Sequence, residues 1–348
     1  MNKLTLKDIA QALNISITTV SKALKDYPDV SWSTKKRVIE YSEKMNFKPN
    51  VQASYLRTRE TKILGVVVPT LIHYFFSNVV EGIIEKAEEA GYMVLVLCTD
   101  ESEEREKKLV KQLLQQNVDG IFISISHKTR DISHLKEVLE NQTVMIVFDR
   151  ISKFLKCSNV VINDREAGYI ATKHLIEQGC QRIAHFRGGL LPQIAIDRYL
   201  GYRKALEDHG LEYDKLLVDI CENGSEKDGY QSAQKFYRAG LSYDGLFTIS
   251  DPTAAGAIRF LHKKNIRVPE DIAVVGFSNW QLAALTTPAI STIDQSGFLI
   301  GAEAMRLFMV EMEQRRKKEE VTFNTSIIPS KLIVRESSLK KNNFLKLR

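Results

Sequence analysis

The sequence predicts an all-α helix-turn-helix segment at the N-terminus, followed by an α/β core of two doubly wound lobes. Three observations point there. Residues 5–45 hold short amphipathic stretches, each opened by a hydroxyl residue suited to capping a helix. From Lys62 onward, apolar β-rich runs alternate with helical stretches, and the rhythm occurs twice. The surplus positive charge is at the front: residues 1–60 carry five more Lys and Arg than Asp and Glu, and the remainder only one more. That is where a polyanion would be engaged.

The 348 residues are 44% hydrophobic and 26% charged, ordinary for a soluble chain long enough for two or three domains. No apolar run approaches the roughly 18 residues that span a bilayer. The opening MNKLTLKDIAQALN lacks the apolar middle of a signal peptide. The reading is a cytoplasmic protein with no membrane partner. Cys98, Cys157, Cys180 and Cys221 are widely spaced with no CxxC pair, and His127 and His134 have no third ligand nearby. Neither a metal site nor a disulfide framework is expected. The phosphate- and dinucleotide-binding glycine motifs are absent, so no cofactor is expected.

Leu6, Ile9, Ala10 and Leu13 form one stripe of a first helix, with Thr5 as cap and Asp8 completing a capping box. Asn14 breaks the pattern, and Ser16 caps a second helix with Val20, Ala23 and Leu24 inward. The three-residue connection is the one a helix-turn-helix requires. Ser31 announces a third helix that turns Val38, Tyr41 and Met45 inward, with Trp32 adding apolar surface. A plain three-helix bundle is the bland alternative; the basic balance and the polar outer face of helix two favour DNA. Ile17, Thr18 and Lys22 would face base edges, Lys22 towards guanine and Ile17 towards a thymine methyl. Thr5, Ser21, Ser31 and Thr34 are placed to hold phosphate oxygens.

These residues carry a resemblance. Thr5-Leu6-Lys7-Asp8-Ile9-Ala10, the Ser16-x-x-Thr19-Val20-Ser21 turn and helix, and Phe47-Lys48-Pro49-Asn50 resemble the DNA-binding headpiece of the LacI/GalR family of bacterial repressors. The similarity continues to about residue 338. It implies that Val51–Leu56, about two turns and too short to be stable alone, is a hinge helix. Asn50 would cap it, Leu56 would wedge into the minor groove, and Ala53 would permit close approach. A plain linker is the alternative.

In the core, 63–68, 93–97, 120–125 and 144–148 read as buried strands, and 182–186, 216–220, 245–249 and 272–275 repeat the pattern. The resemblance makes this a periplasmic-binding-protein-like module whose chain crosses between lobes near 161–163, 290–293 and 321–326. Ligands in such sheets sit at the carboxyl ends of strands. By position, Tyr74, Phe75, Ser124, Asp149 and Arg150 would line the cleft from lobe one, and Arg198, Ser250, Asp251, Ser278 and Asn279 from lobe two. The resemblance implies that Arg198 and Asp149 bind a polar effector covered by Tyr74 and Phe75. This mixture suits a sugar or, given two arginines, a sugar acid. Two departures stand out: Ser278 where relatives carry Asp, and Ser296 rather than Pro after Gln295.

The expected organisation is a headpiece at 1–48, a hinge and linker at 49–61, a core at 62–338 and a tail at 339–348. Within the core, lobe one takes 62–161 and 293–321, and lobe two 162–290 and 325–338. The expected function is a transcriptional regulator, read as a repressor: a homodimer on a pseudo-palindromic operator, controlled by a sugar-like effector. Two alternatives stay open: the same regulator answering to a protein partner, or a carbohydrate-acting enzyme using a carboxylate cluster of Asp149, Asp164 and Asp251.

Overall fold

The structure is a computed structural model; it describes residues 4–45, 47, 60–190 and 192–340. The chain divides between Thr61 and Lys62 into two compact units. The first holds α1 (Leu6–Leu13), α2 (Ile17–Ala23) and α3 (Trp32–Lys44). Each begins at a hydroxyl cap. Thr5 and Asp8 form a reciprocal capping box on α1, Ser16 accepts from the Thr19 amide, and Ser31 from the Thr34 amide. These caps satisfy amides that a helix start otherwise leaves open. Ile9, Ala10, Val20, Ala23, Val30 and Val38 form the core.

Two expected core residues lie outside it. Trp32 is 75% exposed and Met45 45%. Trp32 opens α3 on the face that carries Lys36, whose ammonium lies 5.3 Å from the indole centroid. Val30 and Phe47 pack on the core at the two ends of α3.

In the second unit β1 (Ile63–Val68), β2 (Met93–Cys98), β3 (Gly120–Ile123), β4 (Val144–Phe148) and β5 (Ser158–Ile162) build lobe one. Then β6 (Ile183–Arg187), β7 (Val218–Ile220), β8 (Gly245–Thr248), β9 (Ala273–Phe277) and β10 (Ser291–Asp294) build lobe two. Finally β11 (Thr325–Ile328) returns to lobe one, and β12 (Lys331–Ile333) to lobe two. The strand orders are β11-β5-β4-β3-β1-β2 and β12-β10-β9-β8-β6-β7. All pairings are parallel except β12 with β10. The central strands are apolar on both faces because helices cover both sides.

This topology moves two of the expected crossovers. β10 pairs with β9, so the second crossover falls at Gln295-Ser296 rather than 290–293. β11 pairs with β5, which places Thr325–Ile328 in lobe one instead of lobe two. The third crossover therefore lies between Ile328 and Lys331. β11 is a half-exposed edge strand, so it lacks the continuous apolar run that marks the central strands.

The helices are α4 (Tyr74–Glu89), α5 (Glu103–Gln115), α6 (Ser133–Glu140), α7 (Asp164–Glu177), α8 (Gln193–Asp208), α9 (Glu226–Arg238), α10 (Asp251–Lys263), α11 (Gln281–Leu285) and α12 (Gly297–Lys317). α7 and α8 pack closely in lobe two through Gly168 and Gly201. A Cβ on Gly201 would stand 2.0 Å from the Arg165 carbonyl oxygen, which belongs to the backbone and cannot step aside. Gly201→Ala is expected to cost about 1–3 kcal/mol by forcing the helices apart. Chemical denaturation of the full chain checks this; an unchanged midpoint would contradict the close crossing.

Candidate functional site

The outer face of the helix-turn-helix is polar. Ile17 is 48% exposed, and Thr18 is also exposed, with Ser21 and Lys22 half-buried beside them. The Lys22 ammonium is not idle: it is hydrogen-bonded to the Asp29 carboxylate and holds that carboxyl below its ordinary range. Thr5, Ser31 and Thr34 are committed locally. Thr5 Oγ1 donates to Asp8 Oδ2 at 2.7 Å, and the Ser31 and Thr34 hydroxyls lie 2.8 Å apart. Asn50, Ala53 and Leu56 fall outside the described residues.

The carboxyl ends of the strands meet in the cleft between the two lobes, and the candidate residues there separate into three sets. The first lines a cavity of about 420 Å³, where Tyr74 and Phe75 at the start of α4 face Ser278 and Asn279 after β9. Ser278 and Asn279 both adopt left-handed backbone, with φ of 89° and 46°. Such consecutive positive φ values in residues with a Cβ are held by their surroundings. Ser278 Oγ donates to Gln295 Oε1 at 2.6 Å, and Asn279 Oδ1 accepts from Arg335 Nη2 at 2.8 Å. The turn delivers Trp280, whose ring lies 4.6 Å from that of His73 in an edge-on contact. Burial lowers the His73 imidazole to about 4, helped by the positive charge of Arg150. It is therefore neutral near pH 7.

The second set is a chain of charges. Arg150 Nη1 donates to both carboxylate oxygens of Glu101, at 2.8 and 2.9 Å. Its Nε lies 3.8 Å from Asp149 Oδ2. Ser124 is fully buried, and its hydroxyl reaches Asp149 Oδ2 at 3.5 Å. Burial pushes the Asp149 carboxyl up, opposed by Arg150 and, from lobe two, Arg198. Arg198 Nε donates to Asp164 Oδ1 at 2.7 Å, and its guanidinium stands 3.7 Å from the Phe277 ring centroid. Asp164 is raised to about 6, because burial outweighs its partner.

The third set is Ser250 and Asp251, which are engaged in the packing of lobe two. Ser250 caps α10: its hydroxyl accepts from the Thr253 amide and donates to the Gly224 carbonyl at 2.5 Å. Asp251 is fully buried beneath the Trp280 turn and accepts from the Trp280 amide at 2.7 Å. With Asp251 buried and Asp164 bound to Arg198, the cluster of three carboxylates does not open onto a cavity as a pair of free acids. Among the described residues no group of His, Cys, Asp and Glu could hold a metal ion.

Sequence reasoning missed Glu101, Trp280 and Arg335. Glu101 was within reach: it follows β2, and the rule that ligands sit at strand ends applies to that strand as to its neighbours. Trp280 and Arg335 follow β9 and β12, and only the crossover topology brings them to Tyr74.

The comparisons agree with this architecture. The family model described as bacterial regulatory proteins, lacI family, matches residues 5–50. The model described as periplasmic binding proteins and sugar binding domain of LacI family matches residues 61–336. The HTH-type transcriptional regulator RegA of Clostridium saccharobutylicum is 30% identical over 337 residues, 96% of this chain and 99% of that protein. The ribose operon repressor of Halalkalibacterium halodurans is 32% identical over 341 residues, 96% of this chain and 97% of that protein. The lac repressor dimer bound to operator and the anti-inducer ONPF has the same fold, with a TM-score of 0.83 at 24% identity, over 97% of this chain and all of that one. The headpiece, the two-lobed core and 30–32% identity to regulators over nearly the full length together place this chain in the LacI family, as a DNA-binding transcriptional regulator and not an enzyme.

Proposed function

We propose that the chain represses transcription as a homodimer on a two-fold symmetric operator, and that a small, sugar-like effector between the lobes controls it. The observation that carries this reading is the 420 Å³ cavity beneath the Ser278–Trp280 turn. Aromatic faces of Tyr74, Phe75 and Trp280 and polar groups of Asn78, Asn279 and Gln295 share its wall. That is the mixture that receives a polyol, whose C–H faces lie on rings while its hydroxyls find partners. The turn is bonded to Gln295 in the second crossover, and to Arg335 just beyond the third. A ligand seated there touches the segments that set the angle between the lobes. It acts through its different affinity for two such angles. That one relative is a ribose operon repressor favours a sugar. Asn50, Ala53 and Leu56 form the hinge in this proposal, and Ile17, Thr18 and Lys22 the reading face.

A thermal-shift screen of the full chain against sugars, sugar acids and nucleobases tests the effector. A sugar-type compound at a hundredfold excess over its Kd is expected to add about 2.7 kcal/mol of stability and to change operator affinity. A response confined to nucleobases, or binding with no effect on operator affinity, would overturn the reading. Lys22→Ala is expected to relax preference at one base pair by about 1–3 kcal/mol. In a DNA selection, an unaltered profile would remove Lys22 from the reading face.

A further inference from the structure

Arg150 and Arg198, the two arginines of the chain of charges, are already answered by carboxylates of the chain itself, and the two pairs differ in exposure. Arg198 and Asp164 are 5% and 8% exposed, whereas Arg150 and Glu101 are 20% and 22% exposed. The Glu101 carboxylate is also fully supplied with donors. It takes Arg150 Nη1 on both oxygens, the His127 ring at 2.8 Å and the His127 backbone amide at 2.8 Å. Burial alone would raise the Glu101 carboxyl, but His127 and Arg150 bring it down to about 2, so it is ionised throughout the physiological range. The chain strains to place it: Asp100 and Glu101 both adopt left-handed backbone, at φ 50° and 57°. Two successive positive φ values are costly for residues with a Cβ, and such strain gathers at functional sites.

We propose that Glu101 is a specificity-determining residue, an internal anion that occupies Arg150 so that the cleft accepts uncharged effectors and rejects those bearing a carboxylate or phosphate. The proposal rests on the cleft being the effector site. A carboxylate or phosphate on the ligand would have to displace Glu101 from Arg150 and then face it as a like charge. Glu101 and Arg150 balance one another, so the pair leaves no net positive charge to attract a further anion. His73 is neutral and adds no cation. Arg335 commits one N–H of each terminal nitrogen to Ile290 and Asn279, and Asp294 shares the cavity wall with it. A neutral sugar hydroxyl has no such conflict, because it can settle beside the pair without displacing either partner.

The test uses the full chain and inorganic sulfate against chloride at constant ionic strength, read by thermal shift and calorimetry. Glu101→Gln leaves Arg150 unanswered and is expected to bind sulfate roughly ten- to hundredfold more tightly than the unmodified chain. Glu101→Asp is expected to behave as the unmodified chain, and Glu101→Gln combined with Arg150→Gln is expected to lose the gain. An equal sulfate response in Glu101→Gln and the unmodified chain would overturn the proposal, whatever the natural effector is. A second arm needs no variant: glucose against glucuronate, and ribose against ribose 5-phosphate, on the unmodified chain. An anionic member bound as tightly as its neutral counterpart would also overturn it. Failure of every sugar in the second arm, with the sulfate gain intact, would count against the sugar reading and leave the role of Glu101 standing.

Discussion

Replacing Arg198 by alanine is expected to destabilise lobe two by about 3–5 kcal/mol, since it leaves a buried carboxylate without its partner. Asp164 is held in a pocket where burial already raises it to about 6. Without Arg198 it rises further. The sign follows from proton binding: a carboxyl raised in the folded state holds more protons there than in the unfolded chain, so stability falls as pH rises. The deficit of Arg198→Ala is therefore expected to be larger at pH 8 than at pH 5, where protonation relieves Asp164. Urea denaturation at both values checks this. A deficit below about 1 kcal/mol would show the pair to be a weak surface-type bridge, and a deficit that ignores pH would show that Asp164 is not the group left exposed to the change. Any loss of effector response in this variant must be separated from this structural cost.

Replacing Asp251 by asparagine is expected to stabilise the chain progressively as pH rises. Asp251 is fully buried and raised to about 7 by burial, against the opposing hydrogen bond from the Trp280 amide. Keeping it ionised above that value costs folding free energy, and the cost appears between about pH 4 and pH 7. Asparagine keeps an acceptor for Trp280 and removes the charge. Relative to the unmodified chain, the variant is expected to gain about 4 kcal/mol between pH 4 and pH 8. Taking the difference between the two proteins cancels the opposite slopes contributed by buried His73, His174 and His185, whose imidazoles burial lowers. A flat difference would mean that Asp251 titrates as an ordinary carboxyl.

What could be read from the sequence was what is local. The three headpiece helices announce themselves through Thr5, Ser16 and Ser31, because a cap acts within three residues of itself. β1, β3, β4, β8 and β9 announce themselves as apolar runs between turns. β5, β10, β11 and β12 do not, since Ser158–Ile162, Ser291–Asp294, Thr325–Ile328 and Lys331–Ile333 are mixed in polarity. They sit at the crossovers or edges, where topology and not composition decides the partner.

The site divides in the same way. Tyr74, Phe75, Ser278 and Asn279 share one cavity wall, and the strand-end rule, a rule of position, brings them together from the sequence. Ser250 and Asp251 satisfied the same rule, yet Ser250-Asp251-Pro252-Thr253 is also a helix start, with a hydroxyl cap and proline in the first turn. The cap claims the serine, and the Trp280 amide claims the aspartate. The expectation of an acidic effector counts arginines, and the two it counts are paired with carboxylates of the chain. Glu101 lies 49 residues from Arg150 and Asp164 lies 34 residues from Arg198, separations at which no periodicity reports a contact.

Repression of this kind requires paired headpieces to read DNA under the control of the two-lobed core. Selection of duplexes from a random library by the full chain, repeated with a sugar that the thermal screen identifies, measures this directly. Two half-sites related by two-fold symmetry, enriched together and altered in yield by the sugar, are the predicted result. Enrichment of a single unsymmetrical half-site, or a selection indifferent to a ligand that demonstrably binds, would contradict it.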